Sequence, residues 1–293
     1  MNDSHLNPTV SKPPEARPPA DEGAPARFSP WWGRVDVPEG ACARVELGPL
    51  VLHAQNLLRE WRLYTRHDLD PTRAGIERDI GHHVEPPDGE RGVEVFRFAQ
   101  THEEGALWLT PRLADRPMVA RPEIPISLIG GDEIALFVST PLWAQVETAD
   151  THRRLSEIPT LRPSDTWFGA SPREGELCYA MRTRAKLVHT QLQRHPVRAI
   201  TRIDLKNHTK SPFRIERLNL PIPYLHLYLD EDGLCWTNPV GMERLEQTQK
   251  HAGGRLRIVT GPPAEAKGAT LLGKPRVEMR GGVFVRAFDA LFG

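Results

Sequence analysis

Short apolar runs separated by dense turn formers constrain this chain more than any other feature. They are clearest over residues 197–240, VRAITRIDLKNHTKSPFRIERLNLPIPYLHLYLDEDGLCWTNPV. Over residues 199–205, Ile200, Arg202 and Asp204 fall on one side and Thr201, Ile203 and Leu205 on the other, the period-two pattern of a half-buried strand. The run NHTKSP at 207–212 supplies turn formers, because Asn and Ser side chains bond nearby backbone and Pro removes a donor. Alternation resumes over 213–220 until Pro221 and Pro223, which cannot donate to a ladder and mark a strand end or a bend. The apolar segment YLHLYL at 224–229 closes on Asp230–Glu231–Asp232–Gly233, a hairpin-tip signal, before residues 234–237 start again. The stretch reads as a β-meander.

The same grammar recurs along the chain. Strands are expected over residues 43–51 and 55–65 around a Gly48–Pro49 turn, the second with a helix as its alternative because Leu57, Leu58, Trp61 and Tyr64 would share a helical face, and over 93–99, 106–111, 117–121, 124–129, 133–139 and 142–147. Glu103–Glu104–Gly105 and Gly130–Gly131–Asp132 read as hairpin turns within that series. Residues 67–92 and 150–175 are polar and proline-punctuated and read as loop and connector. In the second half, residues 176–191 form a long strand, and 255–260, 269–272, 275–279 and 283–292 shorter ones. The best helix candidate is 241–252, with Met242, Leu245 and Gln249 on one face and Gly253–Gly254 ending it. The expected fold is mainly β, two β-sandwich-like halves with few helices. The division is 1–30 as a disordered Pro-rich tail, 31–160 as an N-terminal β domain and 161–293 as a C-terminal β domain.

Charge and cysteine content narrow the functional classes. The 38 basic residues balance the 38 acidic ones, which argues against a general electrostatic grip on nucleic acid or anionic lipid. The 3 cysteines, Cys42, Cys178 and Cys235, are far apart and build neither a disulfide framework nor a zinc site. No run approaches the roughly 18 apolar residues of a spanning helix, and the N-terminus lacks a secretory signal. A cytoplasmic protein without direct membrane insertion is expected.

Candidate chemistry is sparse. Trp31 and Trp32 follow the Pro-rich tail and either pin the first strand to the core or form a stacking face for a ring. Trp236 is a second candidate for such a face. His226 lies among apolar residues of YLHLYL and is a candidate binding residue or base, with a core histidine as the plainer reading. Phe288 and Phe292 belong to the apolar C-terminus, which either closes the core or docks on a partner. The His82–His83 pair reads as exposed loop histidines, since neighbours on a strand point to opposite faces. The Asp230–Asp232 cluster lacks the spaced oxygens of a calcium loop. No nucleophile elbow, phosphate loop or zinc-binding helix motif is found, so no catalytic residue, metal ligand or cofactor is assigned.

Residues 31–48 (WWGRVDVPEGACARVELG), Thr140–Pro141–Leu142–Trp143 and residues 207–221 together resemble an uncharacterised prokaryotic family of unknown function. Some of its members are encoded beside small-conductance mechanosensitive channels. The resemblance implies no activity and no site residues, and it raises the expectation of an accessory protein to a membrane system. The leading expectation is a non-catalytic accessory protein acting through a protein partner. A carbohydrate-binding or carbohydrate-hydrolysing protein with tryptophan platforms and a carboxylate pair is the second. A cupin-like metal-dependent enzyme, its histidines brought together from separate strands, is the third.

Overall fold

The structure is a computed structural model that describes residues 27–101, 104–169, 173, 175–246 and 253–278, and the backbone of 283–287. The first strands are β1 (Gly33–Asp36), β2 (Cys42–Leu47), β3 (Leu50–Leu57), β4 (Glu60–His67), β5 (Ile76–Gly81), β6 (Glu94–Ala99) and β7 (Ala106–Arg112). There follow β8 (Met118–Pro122), β9 (Ile126–Leu128), β10 (Glu133–Pro141), β11 (Trp143–Thr148), β12 (Arg154–Pro159), β13 (Ser164–Phe168) and β14 (Glu176–Ala185). The remainder are β15 (Arg198–Asn207), β16 (Phe213–Ile215), β17 (Leu218–Leu220), β18 (Leu227–Leu229), β19 (Cys235–Thr237), β20 (Val240–Arg244), β21 (Gly253–Ile258), β22 (Thr270–Gly273) and β23 (Val283–Ala287). Two single 3₁₀ turns, His189–Gln191 and Ile222–Tyr224, are the helical elements among the described residues. The mainly-β expectation holds.

Local sequence explains the simplest sheet. β5-β2-β3-β4-β6 are antiparallel neighbours in that order. β3 (LVLHAQNL) is buried along most of its length, as a central strand covered on both faces requires. β5 and β6 lie at the two edges and are largely exposed. Gly48, at φ +60, makes the β2–β3 turn that Gly48–Pro49 signals. Residues 55–65, expected as one strand, are two: β3 ends and β4 begins around Leu58–Arg59, and they pair from Leu50↔His67 to Leu57↔Glu60. The stretch expected as loop over 67–92 contains β5, whose polar side chains are explained by its edge position beside β2.

The other sheets are built by partners distant in sequence. β1-β7-β11-β12 form one, β13-β14-β8-β17 a second and β16-β9 a third. The largest runs β22-β18-β19-β15-β20-β21-β23, and β10 joins it on β15 from Glu133↔Lys206 to Pro141↔Arg198. Strands on either side of residue 160 therefore pair in three of these sheets. A single cluster of buried side chains, from Trp31 to Leu256, runs through both halves. A smaller one gathers Phe137, Ile200, Tyr228, Leu234 and Trp236.

Several local expectations are corrected. Residues 197–240 are not a meander: β18 and β19 form the Asp230–Gly233 hairpin, but β15 runs parallel to β19 and β20, while β16 and β17 leave for β9 and β8. Gly130–Gly131 does not join a hairpin, because β9 and β10 pair in different sheets. Gly130 packs so closely that a Cβ there would lie 2.5 Å from the Thr209 carbonyl. β6 and β7 likewise do not form the hairpin expected around Glu103–Glu104–Gly105, since β6 pairs with β4, and β7 with β1 and β11. The connector 150–175 holds β12 and β13. The helix expected over 241–252 is replaced over its first residues by β20, whose backbone is taken up between β15 and β21. Its later residues lie outside the described ones, as do Phe288, Phe292 and residues 1–26. β23 pairs with β21 from Gly253↔Ala287 to Arg257↔Val283, so this part of the C-terminus extends the largest sheet.

Candidate functional site

Arg198 opens β15, opposite Pro141 at the end of β10. Its Nε donates to Ser139 Oγ at 2.9 Å, and a second guanidinium nitrogen donates to the Ser139 carbonyl. Both partners are neutral, and no carboxylate among the described residues pairs with it. Burial pulls its pKa down to about 10, which leaves a full positive charge at neutral pH. A pocket of about 380 Å³ opens over this guanidinium. Arg184 and Lys186 line it from the end of β14, where the exposed carboxylate of Glu123 binds both. Thr72 and Gln191 add polar atoms, and Leu161 and Leu192 an apolar wall.

His195 completes the pocket and is set as a neutral donor. Its Nε2 lies 2.9 Å from the Arg73 carbonyl, and its Nδ1 accepts from the Val197 amide at 3.4 Å. Burial first, and then the charge of Arg198, hold its pKa down near 4. The pocket thus combines three permanent cations with one carboxylate outside its lining. That electrostatics suits an anion, held by a fork of guanidinium donors.

A second cleft, of about 570 Å³, holds His226 with Tyr224, Tyr228 and Asn238. A third, of about 640 Å³, lies between β12, β4 and Tyr179. Its charges are mutually compensated: Arg276 binds Glu157 and the Leu113 carbonyl, and Arg162 binds Glu94.

The residues singled out from sequence are dispersed. Trp31 is 1% exposed and donates from Nε1 to the Pro196 carbonyl at 3.1 Å, so it pins β1 beneath the loop that carries His195. Trp32 is half-buried and meets Trp31 edge-on at 5.7 Å. Trp236 is 2% exposed, with Nε1 bonded to Asp230 Oδ2 at 2.7 Å. The faces of Trp31 and Trp236 are therefore in the core. His82 and His83 are exposed, and His83 contacts Asp79. Among the described residues no three His, Cys, Asp or Glu side chains gather as a metal-binding group. Arg198, Ser139, His195 and Asn238 were not marked by the sequence, since an isolated polar residue on or beside a strand reads as part of a solvated face.

Fold and clefts together define a multi-sheet β protein whose clefts lie where strands distant in sequence are brought side by side. The chain belongs to the family described as protein of unknown function, DUF432, whose model matches residues 31–292. This bears out the resemblance to a family of unknown function carried by residues 31–48, 140–143 and 207–221. No curated protein and no solved structure matches the chain. No helix among the described residues is long and apolar enough to cross a membrane.

Proposed function

We propose that the chain is a non-catalytic accessory protein that works by binding, and that the Arg198 pocket takes the phosphate or carboxylate group of a small ligand. The observation that carries this reading is the Arg198 guanidinium, half-buried and bonded to the neutral oxygens of Ser139. Enclosing a cation without a counter-charge opposes folding. An incoming anion removes that cost and gains charge-assisted hydrogen bonds. Arg184 and Lys186 draw the anion in, and Leu161 and Leu192 accommodate an apolar part of the ligand.

Thermal unfolding with inorganic phosphate and with citrate tests the reading, with sodium chloride matched for ionic strength. A specific anion at 100 times its Kd stabilises the fold by about 2.7 kcal/mol, a shift of several degrees. The shift is expected for the natural chain and absent in Arg198→Met, which keeps the side-chain stem and removes the charge. An equal shift in both proteins, or one reproduced by chloride, overturns the reading.

A further inference from the structure

We infer that Asn238 holds His226 with its hydrogen on Nδ1, leaving Nε2 as a hydrogen-bond acceptor on the wall of the second cleft, and that this cleft binds a neutral, polyhydroxylated ring, the chemistry of a sugar.

The tautomer follows from hydrogen-bond logic. Asn238 is 2% exposed and lies between β19 and β20. Its Oδ1 accepts from the His226 backbone amide at 2.7 Å, while its Nδ2 donates to the Val259 carbonyl at 3.0 Å and the Gly261 carbonyl at 3.2 Å. A backbone amide only donates and a carbonyl only accepts, so the side-chain amide has one permitted orientation. His226 Nδ1 lies 3.2 Å from the same Oδ1, which cannot donate; Nδ1 must therefore carry the hydrogen. In a neutral imidazole the other nitrogen then bears the lone pair. No described residue bonds to Nε2. Asn238 Nδ2 also lies 3.3 Å from the Tyr228 hydroxyl, which fixes a second ring 6.2 Å from His226.

The rest of the lining selects the ligand. Lys274 offers only donors, Glu278 only acceptors, Thr260 a hydroxyl that does either, and His226 Nε2 a lone pair. A set of hydroxyl groups satisfies all of these, because each both donates and accepts. The charges of Lys274 and Glu278 cancel, so a net ionic ligand has no advantage, and an anion would face both Nε2 and Glu278. Tyr224 and Leu271, the latter 55% exposed, supply a surface for the C–H face of a sugar ring. This cleft shares no lining residue with the Arg198 pocket, so either site can fail without the other.

Nitrogen-15 NMR of the full chain at neutral pH reads the tautomer directly, and D-glucose, D-galactose and N-acetyl-D-glucosamine serve as probes. The expected result is an Nδ1–H signature for His226, perturbed by at least one of these sugars. His226→Phe keeps a ring without the lone pair and should weaken that binding about tenfold, the loss of about 1.4 kcal/mol. Lys274→Met, on the exposed rim, gives a second measure if the Phe variant folds poorly, and should also weaken binding. An Nε2–H signature overturns the tautomer assignment. No perturbation of His226 by any of the three sugars overturns the ligand class, as does undiminished binding by both variants.

Discussion

Two buried histidines give the molecule a defined response to acid. His53 is held neutral with its pKa near 4, first by burial and then by the charges of Arg44 and Arg66. His195 is brought to about the same value by burial and Arg198. In the unfolded chain each would titrate near 6.5, so below that pH the unfolded state binds more protons than the folded one. Stability is fully present above about pH 6.5 and falls as the pH is lowered toward 4. Each group contributes at most about 3 kcal/mol across that window. Urea midpoints measured between pH 7.5 and 4.5 should decline accordingly, and His195→Gln should flatten the decline. An unchanged slope in that variant would show that His195 does not titrate as buried and neutral. Glu46, buried between Arg44 and Arg73, illustrates the opposite solution, in which a charge is enclosed with its partners.

At the scale of elements, the connection from β15 to β16 depends on Asn207. Its Nδ2 donates to the carbonyls of Leu128 and Ser211, and its Oδ1 accepts from the Thr209 amide and hydroxyl. Because Asn207 is fully buried, water cannot replace these bonds. Asn207→Ala is expected to destabilise the fold by about 2–4 kcal/mol, each stranded polar group costing roughly 1–3 kcal/mol; a denaturation curve superimposable on the natural one would refute this. Gly130 meets the same turn from the other side. Its Cβ would be 2.5 Å from one backbone carbonyl oxygen and 2.7 Å from the next, at Thr209 and Lys210. Gly130→Ala should therefore lower the melting temperature through displacement of that turn, whereas Gly131→Ala strains only a φ of +87 with no atom in the way. The ordering of the two losses, measured by thermal unfolding, checks the crossing geometry.

At the scale of the whole molecule, the shared pairing of β10 with β15 and of β8 with β14 and β17 ties the halves together. Arg276 fastens the segment after β22 to Glu157 and Leu113, in the first half. Phe28 donates its amide to the Asp232 carbonyl at 3.1 Å, and so fastens the chain ahead of β1 to the β18–β19 hairpin. One cooperative unfolding transition is expected, with tryptophan fluorescence and far-ultraviolet circular dichroism coinciding. Fragments 31–160 and 161–293 expressed alone should not fold, since each would expose the strand edges its partner covers. Two resolved transitions would refute this.

Individual strands were legible because period-two alternation records one covered face, as over residues 199–205, and the hairpin tip at Asp230–Gly233 was legible because its turn residues are local. Trp31 and Trp236 both lie in the core, their indole N–H groups bonded to the Pro196 carbonyl and to Asp230, partners that no local pattern announces. What the sequence by itself determined is therefore a mainly β chain of a family of unknown function, cut into short strands at its Gly and Pro positions. Only the tertiary structure decided which strands pair, since β9 and β10 find partners 57 (Pro141↔Arg198) to 89 (Ile126↔Ile215) residues away and alternation specifies a face but not a neighbour. The same holds for the sites. Arg198 bonds to Ser139, and Asn238 clamps His226, through contacts that no local spacing encodes.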